Sequence, residues 1–355
     1  MSERAQSNTT GYLFVYFTGL EEKSTDEQIY FAISHDGCVW NDLQTDGNPI
    51  LSSTVGERGV RDSFLVRAAD GKHFYLIATD LSIFHRGGWK NSNASESGST
   101  SLVIWESEDL VHWTAPRLVD VASTIPDAGM AWAPEALWIE SDQQYMVYWS
   151  TRSEADNHVG DATNVYYATT TDFEVFSDPV LWIDREHSVI DATMIQADDG
   201  YFYRASQDGM LMIERTKNPY AVSIGEYNHS DDPKQWTAVY EFKKPFANPQ
   251  YIGEYLEGPE LFFYNPNDAR PDPTGAAMIY GLMWDQHKTG NGYLPFRSSD
   301  LGSSDPIHWE LASDVDFGSL KKRHGAILPI TEDEYKRLKT SFLRENPASS
   351  HEIQG

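Results

Sequence analysis

Five stretches of the chain share one order of polar and apolar positions. They are Arg61-Asp62-Ser63-Phe64-Leu65-Val66, Trp132-Ala133-Pro134-Glu135-Ala136-Leu137, Ile190-Asp191-Ala192-Thr193-Met194-Ile195, Leu256-Glu257-Gly258-Pro259-Glu260-Leu261 and Arg323-His324-Gly325-Ala326-Ile327-Leu328. Each sets a polar or charged residue ahead of a short apolar run. Four of the five carry an acid at what reads as one shared place. A turn and a second run rich in Tyr, Phe and aliphatic residues follow, a pattern that predicts strands and hairpins. No helical period is visible before residues 331–343, which read as a short amphipathic helix, and 344–355 read as a frayed tail.

The anchors Asp62, Glu135, Asp191, Glu257 and His324 lie 73, 56, 66 and 67 residues apart. A repeat of that length, built of several strands, predicts blades around a centre. Four units are complete. Residues 12–51 supply three strands without a first, and 324–330 supply one strand without successors. The expected fold is therefore all-β, a five-bladed β-propeller closed by pairing the C-terminal strand with the N-terminal strands. It would form a single domain over 12–332, with the short helix and tail over 333–355. Equivalent positions would converge on the axis and gather distant carboxylates into one site. Loops 18–28, 80–100, 151–163, 206–209 and 284–292 would share the face where first strands begin, and long loops on a rigid scaffold carry binding. A second echo, Ser34-His35-Asp36, Ser107-Glu108-Asp109, Thr171-Asp172-Phe173 and Ser298-Ser299-Asp300, reads as turn chemistry.

Composition narrows the partners. With 355 residues the chain can bury a large core, and 11 Trp, 19 Tyr and 16 Phe suit both packed sheets and a sugar-stacking surface. The net charge of −27, from 54 acids against 27 bases, argues against nucleic acid and anionic membrane surfaces. No apolar run reaches the length of a membrane span. Cys38 is the sole cysteine, so no disulfide forms within the chain, and the N-terminal residues show no apolar signal segment. A soluble, cytoplasmic protein is the expectation. Zinc, P-loop and dinucleotide fingerprints are missing.

With these motifs the chain resembles glycoside hydrolase family 43, a group of five-bladed propeller enzymes, from roughly residue 12 to 332. The resemblance implies that Asp62 is the general base, that Asp191 tunes proton affinities and orients the acid, and that Glu257 is the general acid. The segments Trp132-Ala133-Pro134-Glu135 and Arg323-His324-Gly325 also look like family features. Where the family commonly has Pro after both Asp residues, Ser63 and Ala192 stand here, which relaxes the backbone at those points. The chemistry fits the residue types: a glycosidic bond needs a proton donor for the leaving oxygen and a base for water. Carboxyls about 6.5–9.5 Å apart leave room for that water and invert the configuration.

The resemblance further implies an inverting exo-glycosidase that releases a terminal pentose. α-L-Arabinofuranosidase action on arabino- or arabinoxylo-oligosaccharides is the first choice, and β-D-xylosidase action, also within xylan degradation, the alternative. Arg297, Trp132, Glu135, Trp89 and Trp284 are the expected substrate contacts. His324 is a candidate metal ligand, because some relatives hold Ca²⁺ or water in the central channel through such a His; no cofactor is required for the hydrolysis. A small oligosaccharide is the expected partner, and the oligomeric state is not written in the sequence. Two rivals fare worse. An invertase-type fructan hydrolase would need an Asn-Asp-Pro-Asn segment and a Glu-Cys pair, which the chain lacks. A purely sugar-binding propeller has no need of a protonated Glu facing an Asp.

Overall fold

The structure is a computed structural model that describes residues 8–43, 47–153, 163–185, 187–209, 211–242 and 256–343. Most of the 151–163 loop and the 344–355 tail lie outside these residues. The described chain is all-β apart from short 3-10 turns and one α-helix. No helix among the described residues is long and apolar enough to cross a membrane.

The strands run β1 (Thr9–Phe17), β2 (Tyr30–Ser34), β3 (Asn41–Asp42), β4 (Val60–Arg67), β5 (Phe74–Asp80), β6 (Ser101–Ser107) and β7 (Arg117–Asp120). Then come β8 (Trp132–Ile139), β9 (Gln144–Arg152), β10 (Thr163–Thr170), β11 (Val180–Asp184), β12 (Ile190–Gln196), β13 (Phe202–Gln207), β14 (Leu211–Thr216), β15 (Ser223–Ile224) and β16 (Thr237–Glu241). The last are β17 (Glu257–Phe263), β18 (Arg270–Pro271), β19 (Ala277–Met278), β20 (Tyr280–Asp285), β21 (Tyr293–Ser298), β22 (Trp309–Leu311) and β23 (Arg323–Thr331), followed by α1 (Glu332–Phe342). They group as antiparallel meanders: β4-β5-β6-β7, β8-β9-β10-β11, β12-β13-β14-β16 and β17-β20-β21-β22. A further group, β23-β1-β2-β3, joins the two ends of the chain, with Leu13 opposite Leu328 and Phe14 opposite Ile327. One parallel pair, Gly325 with Ser63, links β23 to β4, and among the described residues no sheet closes on itself.

The first strands lean on one another in sequence order. β4 contacts β8, β8 contacts β12, β12 contacts β17, β17 contacts β23, and β23 contacts β4. Apolar side chains fill the seams between groups. Tyr148 and Trp182 meet Met194 and Trp236 in one seam, and Phe14 and Tyr16 meet Phe262 and Tyr293 in another. Burial of both faces explains why β1 reads as a continuous apolar run from Tyr12 to Phe17. Helix α1 starts at a capping box between Thr331 and Glu334. Tyr335 and Leu338 are buried from its apolar face, and the Glu334 carboxylate also takes a bidentate bond from Arg67.

All five first strands carry the same irregularity. Two residues oppose one on the neighbour between Arg61 and Phe64, Trp132 and Glu135, Ile190 and Thr193, Glu257 and Glu260, and Arg323 and Ala326. The first residue inside four of these bulges has positive φ: Asp62 (49°), Ala133 (50°), Asp191 (56°) and Gly258 (51°). A β-bulge re-aims a side chain and bends its strand. The register corrects the sequence reading, in which the four acids shared one place ahead of the strands. Only Asp62 and Asp191 are equivalent. Glu257 precedes its bulge, Glu135 follows its own, and all four lie within strands.

The Ser/Thr–Asp echo is turn chemistry, as expected. Asp36 Oδ1 accepts from Cys38 N (2.8 Å) and Val39 N (2.9 Å), and Asp109 Oδ1 accepts from Val111 N (2.9 Å) and His112 N (2.7 Å). In the third copy the hydroxyl is that of Thr170 and not Thr171, since Thr170 Oγ1 accepts from Phe173 N at 3.0 Å. Two pairings were not foreseen. β15 runs parallel beside β11, and β18 pairs with β19; two-residue strands are too short to show a period.

Candidate active site

The bulges sort the first strands into layers. The residue before each bulge, Arg61, Trp132, Ile190, Glu257 or Arg323, lines one cavity of about 260 Å³. The first bulge residue lies one layer down, and Asp62 and Asp191 reach the same cavity. Glu21, Leu81, Trp89 and His287 complete the walls from three of the loops expected on this face. The three carboxylates singled out in the sequence are therefore brought together.

Asp62 is surrounded by partners that favour its charge. Thr79 Oγ1 donates to Oδ2 at 2.9 Å, and His324 Nδ1 stands 3.5 Å from Oδ1. Burial opposes ionisation, but the His324 ring, the Arg61 guanidinium and the Thr79 hydroxyl hold its carboxyl below the ordinary value. Thr79 Oγ1 also accepts from Ala133 N at 2.7 Å, so one hydroxyl ties β5 to β8 and orients Asp62.

Asp191 Oδ2 accepts from Gly258 N at 3.0 Å, and Asp191 N donates to Ser150 Oγ at 3.1 Å. Burial pushes Asp191 up to about 6; His324 pulls it down while Asp62 pushes it further up. Glu257 Oε1 accepts from Arg323 Nη2 at 2.9 Å, and His287 Nδ1 lies 3.5 Å from Oε2. Burial first, then the negative charges of Asp191 and Asp285, push Glu257 up to about 8 against the pull of Arg323. Its side chain keeps 26 % of its surface exposed and that of Asp62 17 %, so both remain reachable from the cavity. The site thus pairs a carboxyl group held protonated near neutrality, Glu257, with a carboxylate held ionised, Asp62.

Aromatic and charged side chains build the rim. Trp89 and Trp132 meet edge to face, with centroids 6.2 Å apart at 81°. Trp89 Nε1 donates to Glu21 Oε1 at 2.9 Å, and Arg61 Nη1 donates to the same oxygen at 2.8 Å. The Arg61 guanidinium also packs over Phe17 and Trp89. Trp89 is 49 % exposed, a half-open face on which a sugar ring can stack.

Three expected substrate contacts are not brought to the cavity. Arg297, 1 % exposed on β21, is held by Asp314 Oδ1 at 2.7 Å and by Glu310, and its Nη2 lies 2.9 Å from Cys38 Sγ. Trp284 is fully buried among Leu261, Leu282 and Phe296, because it points to the apolar seam and not along the loop that follows it. Glu135, 3 % exposed, lies past its bulge and below the cavity floor, where Tyr148 donates to it at 2.9 Å. Burial pushes it up to about 8 despite the attraction of His324.

His324 stands at the base of the site. Among the described residues no group of three His, Cys, Asp or Glu side chains is placed to hold a metal ion. Burial favours the neutral ring, but Asp62, Asp191 and Glu135 raise His324 to about 9. Its Nδ1 faces Asp62 Oδ1 at 3.5 Å.

Arg61, Arg323, Glu21 and His287 were not singled out. The two arginines had a signal, since each stands directly before a predicted site residue. Glu21 and His287 had only their loops, whose course no periodicity reveals.

Residues 7–336 match the glycosyl hydrolase 43-related family, described as "Probable glycosyl hydrolase domain". The chain is 29 % identical, over 382 aligned residues, to an α-L-arabinofuranosidase of Bifidobacterium longum subsp. longum; the match covers 95 % of this chain and 35 % of that protein. The chain thus spans about a third of the curated relative it matches. Among solved structures it is similar to a thermostable family-43 glycoside hydrolase (16 % identity, 77 % of each chain, TM-score 0.47). It is also similar to an α-L-arabinanase of Penicillium chrysogenum solved with arabinobiose (13 % identity, 83 % of this chain and 74 % of that one, TM-score 0.47). An exo-β-1,3-galactanase of Phanerochaete chrysosporium solved with β-1,3-galactotriose matches at 16 % identity over 78 % of this chain and 52 % of that one, TM-score 0.45. The family match along nearly the whole chain places this protein in the glycosyl hydrolase 43-related family.

Proposed function

We propose that this chain is an inverting exo-glycosidase that releases a terminal pentose, with α-L-arabinofuranosides as its first substrates. The observation that carries the reading is the division of labour among the cavity carboxyls: Asp62 is held ionised and Glu257 is pushed up to about 8 in the same pocket. Glu257 gives its proton to the glycosidic oxygen as the bond from that oxygen to C1 breaks. Asp62 takes a proton from water as the water oxygen attacks C1 from the opposite face. Asp191 raises the proton affinity of Glu257 by its charge and, through Gly258 N, fixes where β17 begins.

The groups of strands serve as blades of a five-bladed propeller, a reading supported by the order in which the first strands touch. The cavity of about 260 Å³ lies below the ~300–1,000 Å³ typical of drug-sized ligand sites, which suits one terminal sugar better than a long chain. Likeness to the bifidobacterial α-L-arabinofuranosidase favours arabinose over xylose.

The test is initial rates on aryl α-L-arabinofuranosides and aryl β-D-xylopyranosides, with the anomer of the first-formed sugar read by NMR and Glu257→Gln alongside. Arabinoside turnover that needs Glu257 and releases the inverted anomer is expected. Dominant xyloside turnover overturns the sugar, and a retained anomer overturns the mechanism.

A further inference from the structure

Glu257 has two oxygens with different neighbours. Oε1 accepts from Arg323 Nη2 at 2.9 Å, and that arginine can only donate. The proton of the acid therefore belongs on Oε2. Facing Oε2 at 3.5 Å is Nδ1 of His287, a buried nitrogen with no hydrogen-bond partner among the described residues. The imidazole lines the cavity beside the acid, two residues beyond Asp285, which lies opposite Glu257 in the sheet. A buried polar atom left unpaired is costly, and among the described residues the group facing this one is Glu257.

We propose that His287 is a positioning residue for Glu257, turning a neutral Nδ1–H onto Oε2 and strengthening that bond as the acid gives up its proton. Catalytic hydrogen bonds are commonly long before substrate binds and tighten in the bound complex. A donor that gains strength while negative charge develops stabilises the transition state more than the ground state. A neutral donor also adds no permanent charge that would make Glu257 ionise early. Burial keeps His287 below the ordinary imidazole value, and Arg323 and Lys288 push the same way against Asp285. The charged groups facing Glu257 are Asp191, Asp285, Arg323 and Asp62. None of them is a neutral donor.

The inference rests on the reading of Glu257 as the acid, so the experiment separates the two. Leaving groups of low pKa depart without protonation, whereas poor ones need the acid. The kcat/KM values of His287→Ala, His287→Asn and Glu257→Gln are compared on phenyl and 2,4-dinitrophenyl α-L-arabinofuranosides, or on the matching β-D-xylosides if those are the ones turned over. General acid catalysis contributes roughly 10²–10⁴-fold, of which a supporting donor accounts for a part, so His287→Ala should lose about 10–100-fold on the phenyl glycoside and several-fold less on the dinitrophenyl one. His287→Asn, whose amide N–H reaches where Nδ1 stands, should recover most of the loss, and His287→Gln should not. This Asn–Gln contrast carries the test even if the alanine variant melts early.

Equal losses on both substrates, or no loss, overturn the role of His287. If Glu257→Gln shows the leaving-group dependence and His287→Ala does not, this inference alone fails. If Glu257→Gln is indifferent to the leaving group, the assignment of the acid fails with it.

Discussion

Gly258 lies so close to His324 that a Cβ at position 258 would fall 2.6 Å from Cγ of the imidazole and 2.9 Å from Nδ1. That Nδ1 is the atom facing Asp62. A single α-carbon in the strand of Glu257 therefore limits where the ring facing Asp62 can lie.

Gly258→Ala should consequently damage both stability and activity. The backbone at φ 51° costs a non-glycine residue about 1–2 kcal/mol, and the new methyl must displace His324. A melting temperature several degrees lower and a loss of kcat/KM of about 10-fold or more are expected. Wild-type melting and wild-type rates would show that ring and strand are not in fixed contact.

The pH–rate profile should have a basic limb near 8, because Glu257 must carry its proton and ionises there. Its acidic limb should fall below the ordinary Asp value of about 3.9, since the pKa of Asp62 is depressed and its carboxylate persists as pH drops. Glu257→Gln should abolish the basic limb and cost about 10²–10⁴-fold on poor leaving groups. A basic limb that survives in Glu257→Gln would assign it to another group.

Arg323 joins the acid to its surroundings, with Nη2 on Glu257 and Nε on Asp285. Arg323→Met removes the attractive charge that lowers Glu257, so the basic limb should move to higher pH. It also strands the buried Asp285, and breaking such a pair costs about 3–5 kcal/mol. Arg323→Lys keeps a charge but cannot reach both carboxylates through a planar fork. Denaturant midpoints and pH profiles of both variants check this; an unmoved basic limb in Arg323→Met contradicts it.

Stability itself should fall as pH rises through neutrality. Glu135 is pushed up to about 8 and His324 to about 9, against ordinary values near 4.3 and 6.5, so the folded chain holds protons that the unfolded chain releases. The Glu135 contribution is complete below its ordinary value and is lost as pH climbs to about 8. The His324 contribution fades from 6.5 to about 9. Asp62 acts in the opposite sense, its contribution lost only as pH falls below the ordinary Asp range. Glu135→Gln, neutral at every pH, should flatten the slope of denaturant midpoint between pH 5 and 8, and an unchanged slope would place the titration elsewhere.

Much of this was legible in the chain. The strand pairs and the union of β23 with β1 followed from alternation, turn residues and a repeat, and the resemblance to family 43 singled out Asp62, Asp191 and Glu257 among the acids the repeat brings together. Trp284 reads as the start of a loop but belongs to β20, its side chain turned into the apolar seam, and Arg297 lies four residues along β21 from Tyr293, away from the strand end that faces Glu257. Glu135 was misplaced because the bulge before it adds a residue that no hydrophobic pattern displays.

The sequence by itself determined that the chain is all-β, that its ends belong together, and that carboxylates distant in the chain would gather. These depend on local propensity and burial, which each residue carries with it. Only the tertiary structure decided which layer each carboxyl occupies, that Arg323 and His287 flank Glu257, and that His324 stands against Asp62. Those outcomes depend on bulge register and on charges brought together from opposite ends of the chain, and the resulting fields exist only once the strands have packed.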